Sequence, residues 1–196
     1  MTERVADSVP TAIHPAPAKA SRLAPSLWKA AVTLQSYIDG PIVNQELWHL
    51  TTRLARLSEN AVARARALAN RRRVLVLLED WCGDAMFTVP FAERLVAQNA
   101  SLALRVLQRD MHPALMDMHC TNGSRSIPVV MLFDERGIEL AWWGPRPSPL
   151  QHWVVTEGLG MAKPLRYKGI RTWYARDRGE TTLHELLTML EQHDNQ

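Results

Sequence analysis

Apolar residues in the first seventy positions of this chain recur at helical spacing. They do so over residues 27–37 and again over residues 46–57, with a break at Gly40-Pro41 between the two segments. A third, alanine-rich helix is predicted over residues 58–70, because Ser58 is a good N-cap residue. These patterns predict a helical lead-in to the rest of the chain.

After these helices the pattern changes to short apolar runs that alternate with helical segments. Strands are predicted at residues 74–78, 102–107, 129–133 and 138–143, the last two forming a β-hairpin. Helices are predicted at residues 84–98 and 113–119, from Ser148 as a capping residue onward, and at residues 164–175 and 181–193. This order predicts an α/β fold with a central mixed sheet flanked by helices.

The domain organisation follows from the same patterns. The first 25 residues contain four prolines and little apolar periodicity, so we expect a disordered leader there. Residues 26–72 form the N-terminal helical extension, and residues 73–196 form the α/β domain with extra C-terminal helices. A chain of 196 residues with 46% hydrophobic content can bury one sizeable core.

Charge and hydropathy point to a cytoplasmic protein that binds neither nucleic acid nor membrane. The net charge is only +3, and the run Arg71-Arg72-Arg73 ends at a predicted strand, so we interpret it as a solvated strand edge. No segment approaches the roughly 20 apolar residues that span a bilayer. The N-terminus also lacks the apolar centre of a signal peptide.

The candidate chemistry lies in Trp81-Cys82-Gly83-Asp84-Ala85, between a predicted strand and a predicted helix. A thiolate before a helix is stabilised by the first amides of that helix. Ala85 stands where a Cys-x-x-Cys pair has its second thiol, so Cys82 has no local disulfide partner.

Asp84 is expected to act in two directions. A carboxylate in the first turn favours the helix, but at about 6 Å it repels a thiolate by roughly 0.7 to 3 kcal/mol. Our hypothesis is that Asp84 makes Cys82 less acidic than a typical redox-active thiol. The alternative is an ordinary helix-start aspartate.

The other potentially reactive side chains give weaker signals. Cys120 is interpreted as a small, partly buried apolar residue, and a disulfide with Cys82 is the alternative. The seven histidines are scattered, and none has metal-ligand spacing with a cysteine except the adjacent pair His119-Cys120, whose side chains diverge. We therefore predict no metal site.

Three segments together resemble the thioredoxin superfamily. Trp81-Cys82-Gly83 matches the start of its Trp-Cys-Gly-Pro-Cys signature, and Pro90 matches the proline that kinks its active-site helix. Ile127-Pro128 matches the Ile-Pro whose proline is cis. The longer pattern, with its single-cysteine Trp-Cys-Gly-Asp motif, resembles a bacterial thioredoxin-like subgroup. The resemblance covers residues 74–160 and implies a thioredoxin-like fold.

The resemblance also implies roles for the matching residues. Pro128 would lie against the thiol, with a plain strand-starting proline as the alternative, and the backbone of Ile127 would pair with an extended substrate. Trp81 would either shield one side of the sulphur or pack as part of the core. Thioredoxins bury an acid on the preceding strand, but Val76 occupies that position here. With Ala85 as well, both parts of the dithiol resolving step are missing.

Further segments of the subgroup pattern lie towards the C-terminus. Gly144-Pro145-Arg146-Pro147 is interpreted as a rigid corner, with contact between Arg146 and an anionic partner as the alternative. Trp173-Tyr174 and Asp177 are expected to fasten the C-terminal helices to the domain.

Two functions remain in competition, and a third is weaker. The favoured one is monothiol thiol–disulfide exchange, in which Cys82 attacks a protein or small-molecule disulfide and an external thiol such as glutathione resolves the adduct, without a resident cofactor. The alternative is a non-enzymatic module that binds peptides or senses redox state. A peroxide-reactive enzyme is disfavoured, because the Thr/Pro context of peroxiredoxins is not visible around Cys82.

Overall fold

The structure is a computed structural model that describes residues 11–18 and 22–194. Its centre is a five-stranded mixed sheet in the order β1-β5-β4-β2-β3. Strands β2 and β3 are parallel, and the other neighbouring pairs are antiparallel. The strands are β1 (Ile13–Pro15), β2 (Arg72–Leu78), β3 (Leu102–Gln108), β4 (Val129–Phe133) and β5 (Glu139–Trp143).

Helices cover the sheet and extend the chain at both ends. In the described residues they are α1 (Pro25–Ala30), α2 (Leu34–Ile38), α3 (Gln45–Leu54), α4 (Glu59–Ala67), α5 (Gly83–Val96), α6 (Pro113–Asp117), α7 (Ser148–Thr156), α8 (Lys163–Asp177) and α9 (Glu180–Gln192). The predicted α/β class and mixed sheet are therefore confirmed. No helix among these residues combines the length and apolarity needed to cross a membrane.

The centre of the sheet places the candidate thiol. All five residues of β4 are buried, and the last five residues of β2 are apolar and buried, as expected for strands covered on both faces. β2, α5 and β3 form a crossover between parallel strands, so α5 begins just beyond the carboxyl end of β2. Cys82 lies at that junction.

The N-terminal extension packs into the same core as the sheet. Leu34, Ile38, Trp48, Ala61 and Ala65 are buried members of the main hydrophobic cluster, together with the strands. Four leucines of α9 complete this cluster on the other side: Leu183, Leu186, Leu187 and Leu190. Helices α7 and α8 form a smaller cluster of their own with Leu150, Val154, Ile170 and Tyr174.

Two N-terminal predictions are wrong. The predicted helix over residues 27–37 is divided into α1 and α2, because Val32 pairs antiparallel with Val106 through hydrogen bonds of 3.1 and 2.8 Å. The predicted disordered leader contains β1, which pairs with β5, and His14 stacks on Trp142 with ring centroids 3.9 Å apart. The remaining leader residues 1–10 and 19–21 lie outside the described residues.

Two local side-chain expectations also change. Ser148 does not cap α7, because α7 begins at Ser148 itself and its Oγ accepts a hydrogen bond from the Ala12 amide at 2.8 Å. Arg72 does not lie at a solvated edge. It is buried in β2, and its guanidinium donates to the carbonyl groups of Arg71 and His193.

Candidate functional site

Cys82 immediately precedes α5, and its sulphur is held from two sides. The thiol donates a hydrogen bond to the Ile127 carbonyl oxygen at 3.4 Å, and the peptide bond between Ile127 and Pro128 is cis. The amides of Asp84 and Ala85 donate to the sulphur from the first turn of α5. The structure thus brings Cys82, Asp84 and the Ile127-Pro128 segment together.

The thiol of Cys82 is a weak acid in this environment. Only 6% of the residue is exposed. Burial, and then the nearby Asp84 carboxylate, raise the pKa of Cys82 to about 12, although the two amide hydrogen bonds and Arg146 act in the opposite direction. Cys82 is therefore protonated at neutral pH. The expected effect of Asp84 has the right direction, but burial is the larger cause.

Asp84 is not an ordinary exposed aspartate at a helix start. Its side chain is buried, Oδ2 lies 2.8 Å from Nη2 of Arg146, and Oδ1 accepts a hydrogen bond from the Tyr174 hydroxyl at 2.9 Å. Burial raises the pKa of Asp84, whereas Arg146 and Tyr174 lower it. Arg146, for which the sequence left open a rigid corner or a contact with an external anion, thus pairs with Asp84. Tyr174 links α8 to the site.

The corner that carries Arg146 packs directly on Pro128. Gly144 has a φ of +145°, and an added Cβ atom there would lie 2.2 Å from the Pro128 carbonyl oxygen. Glycine is needed at this position both for its backbone conformation and for the close approach. The corner after β5 therefore fixes Arg146 relative to the segment that contacts Cys82.

An open cleft of about 450 Å³ borders this group of residues, and only a small part of Cys82 reaches its surface. Trp81 lies on its wall and is 52% exposed, and the Arg109 guanidinium is 5.1 Å from its ring centroid. Gly83 and Tyr167 also line the cleft. The described part of the N-terminal extension contributes no lining residue.

The extension instead holds the loop before Cys82 from behind. The Val43 amide donates to Oδ2 of Asp80 at 2.8 Å, and Nε1 of Trp48 donates to the Asp80 carbonyl oxygen at 3.0 Å. The extension thus positions the loop between β2 and α5.

The other candidates from the sequence, Cys120 and His119, do not line the Cys82 cleft. Cys82 and Cys120 are both free, and the Cys120 sulphur lies 3.7 Å from the Met116 carbonyl oxygen. Both ring nitrogens of buried His119 are engaged, Nδ1 by the Leu115 carbonyl at 2.8 Å and Nε2 by Glu139 at 2.7 Å. Within residues 11–18 and 22–194, no group of three or more His, Cys, Asp or Glu side chains is placed to hold a metal.

Val76 occupies the position at which thioredoxins bury an acid, as the sequence indicates. Val76 is fully buried in β2. Glu79, which directly follows the same strand, is buried too, and its Oε1 accepts a hydrogen bond from the Asp110 amide at 2.8 Å. Burial raises the pKa of Glu79. This hydrogen bond holds the turn after β3.

Sequence reasoning missed Arg109 and Tyr167 as lining residues of the cleft. Arg109 had a usable signal, because it follows β3 and the carboxyl ends of parallel strands meet at one sheet edge. No comparable sequence signal points to Tyr167, because the residue pattern of α8 does not indicate which of its faces approaches Cys82.

Comparisons with known proteins agree with this architecture. A family model described as "Thioredoxin" matches residues 31–163. No curated protein sequence matches the chain. A solved protein of unknown function from Pseudomonas aeruginosa has a TM-score of 0.64 at 15% identity, covering 84% of this chain and 94% of that chain. An HIV epitope scaffold has a TM-score of 0.65 at 16% identity, covering 85% and 96%. At these identities the likeness shows the fold alone.

Proposed function

Since the chain belongs to the thioredoxin family, we propose that it performs monothiol thiol–disulfide exchange through Cys82. The observation that carries the proposal is the placement of the sulphur: it lies on the wall of an open cleft, between the first amides of α5 and the Ile127 carbonyl. A thiol in this position can be approached by a disulfide from the cleft. The amides that already donate to it also stabilise the thiolate once it forms.

The exchange consists of two balanced displacements. The Cys82 thiolate attacks a mixed disulfide between a protein and glutathione, forms a Cys82–glutathione disulfide, and releases the protein thiolate. A glutathione thiolate then attacks the sulphur of the bound glutathione, forms oxidised glutathione and releases the Cys82 thiolate. The second step uses an external thiol, because Ala85 supplies none and Cys120 is not paired with Cys82.

The raised pKa of Cys82 predicts slow exchange at neutral pH. With a pKa of about 12, only a very small fraction of the thiol is ionised at pH 7. The greater nucleophilicity of a basic thiolate compensates for only about half of this loss on a logarithmic scale. Exchange at pH 7 should therefore be about 10²- to 10³-fold slower than for a thiol of pKa near 7. The rate should increase as the pH rises.

A non-enzymatic binding module is the second candidate, and the same burial favours it. A thiol that is 6% exposed and protonated at neutral pH also serves as an apolar part of the cleft wall. In that case the cleft would bind a peptide, and Cys82 would respond only to strong oxidants.

Turnover of a glutathionylated model peptide separates the two candidates. The assay contains the reduced protein, glutathione and glutathione reductase, and it is run from pH 6.5 to 9.5 with the uncatalysed rate subtracted. We expect activity that increases with pH, is lost in Cys82→Ser and is retained in Cys120→Ser, the matched thiol control. A folded wild-type protein without activity over the whole range would favour the binding module.

A further inference from the structure

A second cavity, of about 270 Å³, adjoins the Cys82 cleft. The two share Ser126, Arg146 and Tyr167 as lining residues. The second cavity has an aliphatic wall from α7 and α8, and its polar lining consists of hydroxyl groups, amides and two arginines without any acidic side chain. Asp84, on the wall of the first cleft, compensates the charge of Arg146, so the net positive charge of this lining comes from Arg166.

Two buried polar atoms of lining residues lack partners. Nη2 of Arg146 contacts Asp84, and Nη1 donates to Gln151 at 2.8 Å, but Nε of Arg146 is buried with no hydrogen-bond partner. The Thr121 Oγ1 is buried and unpartnered as well. Neither atom has accessible surface, so a ligand in the cavity does not reach it; the lining groups open to a ligand include the Ser124 hydroxyl and Arg166.

Arg166 supplies a cation that the fold does not neutralise. Among residues 11–18 and 22–194, no salt bridge involves Arg166, whereas Arg109, Arg125 and Arg146 each pair with an aspartate. The Arg166 stem lies over Gly158, where an added Cβ would be 3.4 Å from its Cγ and Cδ. Its guanidinium lies 5.8 Å from the Tyr167 ring centroid, and Nζ of Lys163 lies 5.7 Å from the same centroid.

We propose that this second cavity binds the carboxylate of a small thiol or disulfide whose sulphur reaches Cys82 in the adjoining cleft. The proposal rests on the exchange function proposed above and names the substrate class for it. A carboxylate accepts hydrogen bonds from an arginine N–H and a hydroxyl group while it pairs with a guanidinium. The aliphatic wall then contacts the carbon skeleton of the same molecule.

Binding of S-methylglutathione tests the cavity without any exchange, because its sulphur is blocked. Isothermal titration would compare it with its dimethyl ester, which lacks the carboxylate charges. We expect the acid to bind about ten- to a hundredfold more tightly than the ester. Arg166→Gln should weaken binding of the acid by at least about tenfold and leave binding of the ester unchanged.

Arg171→Gln is the matched control, because Arg171 is exposed on the same helix and lines neither cavity. It removes the same charge and should leave both affinities unchanged. Equal binding of acid and ester, no binding of the acid, or equal losses in the two arginine variants would overturn the proposal. Circular dichroism of both variants verifies that they are folded.

The failure of this proposal can be distinguished from the failure of the exchange function. If the protein binds S-methylglutathione more tightly than its ester but does not turn over the glutathionylated peptide, the carboxylate site is supported and the exchange function is contradicted. Turnover with equal rates for a dicarboxylate disulfide, dithiodipropionate, and a neutral one, hydroxyethyl disulfide, would retain exchange and reject the carboxylate site.

Discussion

Asp84 sets the electrostatic character of the site at the scale of a single residue. Its carboxylate disfavours the Cys82 thiolate, and it also holds Arg146, whose charge favours that thiolate. The residue therefore acts on the thiol twice, once through its own charge and once by compensating the charge of Arg146.

Asp84→Asn should lower the pKa of Cys82. The substitution removes the like charge and leaves Arg146 uncompensated beside the sulphur, so we expect a decrease of about 0.5 to 2 pH units. Alkylation by iodoacetamide against pH measures this, in a Cys120→Ser background so that only Cys82 reacts. Arg146→Gln should shift the profile in the opposite direction. A thiol in Asp84→Asn that titrates no lower than in the parent protein would contradict this account.

Gly144 has an equally local role in packing. Gly144→Ala places a Cβ atom 2.2 Å from the Pro128 carbonyl oxygen at a φ of +145°, so it should destabilise the protein by at least about 2 kcal/mol. Urea denaturation measures the change. Gly160→Ala is the control, since no atom lies within 4 Å of the added Cβ and its φ is not positive. Similar losses in the two variants would argue against the close approach.

The predictability of the site also depends on individual residues. Cys82, Asp84, Ile127 and Pro128 are identified from short motifs, because a strand-to-helix turn and an Ile-Pro pair act through local backbone geometry. The contact of Asp84 with Tyr174 joins residues 90 positions apart. Sequence patterns describe each segment but not the packing of α8 on α5, so this contact could not be predicted.

At the scale of elements, Tyr174 of α8 docks on α5 through a hydrogen bond and a ring contact. The Tyr174 hydroxyl donates to Asp84 at 2.9 Å, and its ring stacks on Phe87 of α5 with centroids 5.1 Å apart. Both contacts join α5 to the added C-terminal helices. These are the two contacts through which Tyr174 fastens α8 to the α/β domain.

Tyr174→Phe should destabilise the protein by about 1.5 to 3 kcal/mol, because it retains the ring but removes a hydrogen bond to a buried carboxylate. The free energy of unfolding in urea measures the effect. Tyr167→Phe serves as the control on the same helix, since its ring is half-exposed and its hydroxyl makes no hydrogen bond to another described residue. Equal stability of Tyr174→Phe and wild type would mean that the hydrogen bond adds nothing to the docking of α8.

The elements that sequence patterns miss lie at the two edges of the sheet. β1 pairs with the β5 edge, and Val32 pairs with Val106 on the β3 edge. Edge strands carry unpaired N–H and C=O groups that can recruit any extended segment nearby. Neither segment has a strand-like pattern of its own, so only the assembled sheet explains them. The interior strands and long helices, in contrast, follow directly from their apolar spacing.

At the scale of the whole molecule, the N-terminal extension belongs to the folded core. Trp48 of α3 is fully buried, and its indole N–H donates to the loop that precedes Cys82. In the structure the described part of the extension packs behind the site loop and does not line the cleft.

Trp48→Ala should therefore weaken the entire protein and not only α3. Removing a fully buried tryptophan should destabilise the protein by about 3 to 5 kcal/mol. Hydrogen exchange read by mass spectrometry should show similar losses of protection in α3 and in the central strand β2, because the two share one core. Leu54→Ala is the control on the same helix, since Leu54 is largely exposed. If only the extension lost protection, it would be a separately unfolding unit, and its hold on the site loop would be dispensable for the rest of the fold.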